Sequence, residues 1–229
     1  MLKKILEKLK ALANANKQSI NPEEFNDPVA LVTSWSPAKS GGSNFRTHKL
    51  IRSKEHYDRL EFVPTLGSWL MGLAFLLTGL GIIIGFSITL LLSDKVEIPF
   101  FIPYIFGGIF TALGIFIFRV FISKHTFDLD AGYYWVGGKS PDELLYATRD
   151  LKPEKAPVKL KDIHAIQIIS EWCRSDKSSY TSYELNLVLN DGSRRNVIDH
   201  GNVKKLRNDA AELAEYLGVP VWDITLKDK

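Results

Sequence analysis

Residues 69–92 read WLMGLAFLLTGLGIIIGFSITLLL and residues 99–122 read PFFIPYIFGGIFTALGIFIFRVFI. A bilayer core takes roughly 20 apolar residues at helical rise, and each stretch exceeds that with no Asp, Glu or Lys inside it. Arg119 is the only full charge. The first stretch holds fourteen Leu, Ile or Phe and the second fifteen Leu, Ile, Phe or Val. Each of these favours insertion by about 0.3–0.6 kcal/mol near a helix centre, so the sum is several kcal/mol. Two buried helices of a soluble core would have to be apolar on every face, which a chain of 229 residues is poorly able to cover. The sequence therefore predicts a two-helix transmembrane hairpin.

Working outward, the whole-chain averages conceal this pattern: 45% apolar residues, net charge +3 and a mean hydropathy of −0.03 describe an ordinary soluble protein. Residues 123–229 are enough for one small domain with its own core, whereas residues 1–68 are marginal alone. Basic residues flank the spans on one side: Lys49, Arg52, Lys54 and Arg59 precede the first, and Arg119 and Lys124 close the second. The connector, residues 93–98, has Lys95 offset by Asp94 and Glu97. The positive-inside rule then puts both termini in the cytoplasm, and a bacterial inner membrane is the expected location. No cleavable signal peptide is expected, since the apolar run begins far from Met1. The single cysteine, Cys173, excludes an internal disulfide framework.

Leu2, Ile5, Leu6, Leu9 and Leu12 recur at helical steps opposite Lys3, Lys4, Lys8 and Lys10, so residues 1–12 read as a basic amphipathic helix. It suits a headgroup layer, or else a partner-facing or simply solvated position. Residues 13–28 read as linker. Residues 29–68 read as a β-rich cytoplasmic segment, with extended runs at Ala30–Trp35 and Phe45–Val63 leading into the first span. An isolated pair of strands is barely stable in water, and residues 123–229, on the same membrane face, are the natural partner.

Within the hairpin, Gly81 and Gly85 form one small-residue step, and Gly107 with Thr111 and Gly108 with Ala112 form two more. Such steps let helices approach closely where lipid offers no hydrophobic drive to associate. After the hairpin, His125–Asp130, the turn Ala131-Gly132 and Tyr133–Val136 form a β-hairpin pattern. Ser140-Pro141-Asp142-Glu143 has the signature of a helix start. Leu160–Ile169, Tyr183–Leu189 and Arg194–Ile198 read as strands. A final helix is capped by Asn202, carries the apolar stripe Val203, Leu206, Ala210, Leu213 and Leu217, and stops at Gly218.

Strands followed by one C-terminal amphipathic helix is the order of a pleckstrin-homology (PH)-like domain. Further residues add to this: Ile98-Pro99-Phe100-Phe101, Phe127-Asp128, Leu160-Lys161-Asp162-Ile163, and Ala210-Ala211-Glu212-Leu213-Ala214 followed by Leu217-Gly218-Val219-Pro220. The set, in this order, resembles the photosystem I assembly protein family of chloroplasts and cyanobacteria, and more loosely bacterial membrane proteins with a PH-like domain behind two membrane helices. The resemblance runs roughly from Leu70 to Trp222. It implies a membrane α+β protein, a transmembrane hairpin plus a cytoplasmic PH-like β-domain closed by a C-terminal helix, acting as a non-enzymatic scaffold in the assembly of a larger complex.

Candidate chemistry is sparse. His48, His56, His125, His164 and His200 show no zinc-site spacing, and there is no phosphate loop or nucleophile elbow. An enzymatic reading needs distant groups to converge, for example His164 with Asp199 or Glu171. Charge breaks one local rule: Lys204, Lys205 and Arg207 crowd the start of the last helix, where the dipole disfavours cations. With Arg194 and Arg195 on the preceding strand they form a candidate basic patch for anionic lipid or an acidic partner. The expected protein is thus a non-enzymatic membrane interaction or assembly protein whose partners are lipids and a membrane protein complex or a second copy. The alternative is an anionic-lipid sensor. No cofactor, metal or nucleic acid is expected.

Overall fold

The computed structural model describes residues 21–39, 41–92, 99, 101–146, 156–174 and 178–225. The amphipathic helix expected at residues 1–12 lies outside them. Asn21 caps a short 3-10 turn at Pro22–Phe25, and the first α-helix, α1, is Pro28–Val32. Here the sequence predicted a strand. Asp27 instead accepts a bond from the Val29 amide at 2.8 Å, and Pro28, which has no amide proton to lose, fits the first helical turn. Two strands follow, β1 (His48–Arg52) and β2 (Arg59–Pro64).

The two apolar runs form α2 (Leu66–Leu92) and α3 (Phe101–Phe121), helices long and apolar enough to cross a membrane. They pack on each other as a hairpin. Its tight contacts are at Gly79, Gly107 and Gly114. A Cβ on Gly79 would collide with the Thr111 backbone, one on Gly107 would lie 2.5 Å from Ile83, and one on Gly114 would lie 2.7 Å from the Leu76 amide. Thr111 lies in this seam, as the sequence suggested. Gly81, Gly85 and Gly108 are corrected: a Cβ on any of them meets nothing within 4 Å, and Ala112 is exposed. The chain contains two small-residue stripes, and the seam uses the one holding Gly72 and Gly79. Ser87 and Tyr104 share a hydrogen bond of 2.9 Å across the seam.

Beyond the hairpin come β3 (His125–Asp128), β4 (Tyr133–Val136), the helix α4 (Pro141–Tyr146) and β5 (Val158–Lys159). Leu160–Asp162, expected as the start of a strand, is a 3-10 turn. Strand β6 begins at Ile163 and runs to Arg174, followed by β7 (Ser179–Leu189), β8 (Arg194–His200), α5 (Val203–Leu217) and β9 (Val221–Asp223). Asn202 caps α5 through the Lys205 amide, and Gly218 ends it in the left-handed conformation, as read from sequence.

The strands form two sheets, β1-β2-β3-β4-β5 and β8-β7-β6-β9. The first is an antiparallel meander in which α2 and α3 are inserted between neighbouring strands, β2 and β3. In the second, β9 runs parallel to β6. One core joins them: Leu60, Phe62, Phe127 and Tyr134 from the first sheet, Ile166, Ile168, Leu185 and Leu187 from the second, and Leu206, Ala210 and Leu213 from α5. On the other face of the second sheet, Ala30 packs on Ala165, Val188 and Trp222, with Phe25 and Trp35 stacked beside them at 4.9 Å. The strands before the hairpin are therefore completed by those after it.

Candidate functional site

The hairpin leaves the β-body through a dense set of short bonds. Only Thr65 separates Pro64 of β2 from Leu66 of α2. The Thr65 hydroxyl donates to the Arg46 carbonyl at 2.8 Å and the Ser68 hydroxyl to the Thr47 carbonyl at 2.7 Å. On the returning strand, His48 Nε2 donates to the Ser123 carbonyl at 2.9 Å, and Lys124 pairs with the buried Glu61 at 2.7 Å. Phe45 meets Phe121 with ring centres 6.1 Å apart. These contacts tie both helix ends to β1, β2 and β3, so the helices and the sheet share one rigid root.

Histidines cluster at this root. The rings of His48 and His125 meet edge to face at 5.4 Å, and His125 Nδ1 lies 2.9 Å from the Tyr134 hydroxyl. The Asn202 amide donates to His200 Nδ1 at 2.7 Å, which leaves the proton on a buried Nε2 with no partner. Burial is the first cause holding all three below the usual histidine value. His125 falls to about 3, with His48 and Lys39 adding repulsion, and His200 to about 4, with Arg46, Lys205 and His48 adding repulsion. For His48 the Ser123 carbonyl opposes the downward shift. Near neutral pH these are neutral packing groups. Burial also pushes the Tyr134 hydroxyl upward.

His164, which the enzymatic reading paired with Asp199 or Glu171, is held by Asp27 at 2.7 Å. Among the described residues no group of three His, Cys, Asp or Glu side chains is placed to hold a metal ion. Asp199 is pushed up to about 6, first by burial and then by the nearby Glu184 carboxylate, against opposing pulls from Asn196 and Lys39. It is a half-buried acid beside a second acid, and the Asn196 amide donates to it at 3.2 Å.

The five basic residues singled out by sequence do not act as one patch. Arg207 is tied to Asp223 at 2.6 Å and to the Thr225 hydroxyl at 2.8 Å. Arg194 donates to the Ser36 carbonyl at 2.7 Å and to Gln167 at 3.1 Å, and burial lowers its pKa. Arg195, its neighbour on β8, projects to the opposite face of the strand and acts electrostatically on Tyr134. Lys204 and Lys205 stand exposed on the first turn of α5. Just before them, Gly201 abuts the Asn44 carbonyl and lies next to Phe45, so closely that any Cβ there would clash. Phe45 in turn touches Phe121 at the end of α3. The start of α5, which carries these two lysines, therefore adjoins the segment that touches the end of α3. Sequence reasoning missed the partners of Arg194 and Arg207, which come from distant or terminal segments. It also missed the buried acids Glu61 and Glu184, which carry no local signal. Comparison with protein-family models and with curated proteins returns no match for this chain.

Proposed function

We propose that this chain is a non-enzymatic integral membrane interaction or assembly protein. Helices α2 and α3 cross a bilayer as an antiparallel pair, with both termini and the β-body, read as a PH-like domain, on the cytoplasmic side of a bacterial inner membrane. The observation that carries this reading is the exposure of the hairpin: Leu77 is 62% exposed, Ile84 56% and Phe116 59%. The core helix of a soluble protein would have those side chains covered. In water such a surface is a large apolar patch, and in lipid it is matched to its solvent. The second support is the root. A body fastened to both helix ends is held at a fixed attitude to the membrane, which suits docking onto a membrane complex. Purification in mild detergent followed by mass spectrometry tests this function. Stoichiometric membrane subunits are expected, and a monomeric, partner-free particle counts against it.

The position of Lys204 and Lys205 favours a second reading, an anionic-lipid sensor. Each lysine near an anionic leaflet contributes about 1 kcal/mol, and these two stand exposed on the first turn of α5, just after the contact of Gly201 with Phe45 that adjoins the end of α3. The full chain is reconstituted into neutral or anionic vesicles, and hydrogen exchange is compared at the first turn of α5. Protection that appears only with anionic lipid, and disappears in Lys204→Glu/Lys205→Glu, supports this reading. Equal exchange in both vesicles removes it.

A further inference from the structure

On the outer face of the second sheet, the register sets Gln167 opposite Asn186, Ile169 opposite Glu184, Glu171 opposite Ser182 and Cys173 opposite Tyr180. Residues 34–39, 41 and 42 cross this face as a strap, and the polar side chains of the sheet hold them one after another. Gln167 Nε2 donates to the Ser34 carbonyl at 3.1 Å and Arg194 to the Ser36 carbonyl at 2.7 Å. The amides of Ala38 and Lys39 donate to the two carboxylate oxygens of Glu184 at 2.8 and 3.0 Å. The amides of Gly41 and Gly42 donate to Glu171 at 3.1 and 3.4 Å, and the Tyr180 hydroxyl donates to the Gly42 carbonyl at 2.9 Å. Each of these bonds ends on a main-chain group of the strap.

The bed is itself prearranged. The Asn186 amide donates to Glu184 at 3.0 Å, the Asn196 amide to Asn186 at 3.2 Å and Arg194 to Gln167. Glu184, Asn186 and Gln167 are fully buried beneath the strap. A segment needed only as a cover would be matched by an apolar face, because burying a carboxylate costs free energy that its hydrogen bonds must offset. Carboxylate and amide side chains that bond backbone N–H and C=O groups read the main chain, which every residue but proline offers in full, and so tolerate different sequences. Apart from Lys39, the strap residues bonded to the bed are small, namely Ser34, Ser36, Ala38, Gly41 and Gly42, and at Gly42 a Cβ would collide with the Ser182 hydroxyl.

We infer that the outer face of β6, β7 and β8 is a peptide-binding site that residues 34–39, 41 and 42 fill in cis, and that a segment of a partner protein with the same bends, carrying glycine at the position of Gly41, occupies the same hydrogen-bonding positions when the strap lifts. A tethered strap acts at an effective concentration in the millimolar range, so a free peptide competes only once the strap is loosened. This inference is independent of the membrane reading, since the bed and strap belong to the β-body.

The test uses the full chain in detergent. In the variant Ala30→Glu/Gly41→Pro, a charge is forced into the fully buried contact of Ala30, and proline replaces a residue at φ +80° that it cannot adopt. The probe is a fluorescent peptide with the sequence of residues 24–43, read by anisotropy. The unmodified chain should leave the peptide free at micromolar concentration and the loosened chain should bind it. A peptide carrying proline at the positions of Ala38 and Gly41 should bind about tenfold more weakly, as should the native peptide on a loosened chain that also carries Glu184→Gln. A loosened chain that melts cooperatively yet ignores the peptide overturns the inference, as does binding indifferent to both changes. If the loosened variant does not fold, hydrogen exchange of the unmodified chain decides. Amides 38, 39, 41 and 42 should exchange well before those of β7 and faster still with millimolar peptide. Exchange only together with β7 overturns the inference.

Discussion

Along the hairpin, the side chains turned outward are Leu77, Ile84, Ile105, Phe106 and Phe116, and those in the seam include Gly79, Gly107, Gly114 and Thr111. In the β-body the order is reversed. Leu60, Phe62, Phe127 and Ile168 are inside, while Lys49, Lys204 and Lys205 are outside. Both regions close their interiors tightly, the hairpin by bringing backbones together and the body by interlocking large side chains. Packing is thus a shared demand, and what differs is the kind of side chain each surface presents. The root between them, with its buried Glu61 paired to Lys124 and its neutral histidines, is where the two orders change over.

Substitutions at matched positions sharpen the contrast. The largest effect is expected in the body, where Phe127→Ala removes a fully buried ring and should cost about 3–5 kcal/mol, read as a lowered melting temperature. Leu77→Asp tests the outside of the hairpin. On a water-facing helix it would change stability little, whereas at the centre of a span it should cost about 2.5–3.5 kcal/mol of insertion, read as loss of membrane-integrated chain. Next come the two glycine stripes. Gly79→Leu drives side chain into the α3 backbone and should cost at least about 1–3 kcal/mol, while Gly85→Leu should be neutral. Equal effects would mean that the seam has been assigned to the wrong face.

A smaller effect, graded with pH, is expected at the root. A histidine held below its unfolded value takes up a proton when the chain unfolds. Its contribution is full above about pH 6.5 and is lost as the pH falls toward the folded value, about 3 for His125 and about 4 for His200. Asp199, raised to about 6, has the opposite sign and loses stability as the pH rises from its unfolded value through 6. Asp209, also raised by burial, has the same sign as Asp199, and three histidines outweigh two carboxyls, so the melting temperature should drop from pH 7 to pH 5, and His200→Gln should flatten that slope. A melting temperature that rises on acidification would mean that these rings are not buried in neutral form.

Much of this organisation was legible because its signals are local. The apolar runs announced α2 and α3, Asn202 and Gly218 marked the ends of α5, and Ala131-Gly132 marked the β3–β4 turn. What escaped depends on contacts between distant segments. Val29, Ala30 and Val32 look like strand residues, and α1 forms because Asp27 and Pro28 start a helix that then packs on Ala165 and Trp222. Gly81 and Gly85 have the same spacing signature as a seam, and nothing local to the sequence distinguishes their face from the one containing Gly79 that the helices use. Arg194 and Arg207 were grouped with Lys204 and Lys205 by charge. Their partners, the Ser36 carbonyl and Asp223, come from segments that periodicity does not connect.

The most direct test of the central claim is labelling of single cysteines by a membrane-impermeant maleimide in a Cys173→Ser background. Tyr57→Cys and Tyr146→Cys mark the body at residues 80% and 92% exposed, and Leu92→Cys marks the far end of α2. The two body positions should react only in inverted inner-membrane vesicles and Leu92→Cys only in intact spheroplasts. Reaction of all three from one face, or of a chain that stays in the supernatant after carbonate extraction, would contradict a hairpin that crosses the bilayer twice.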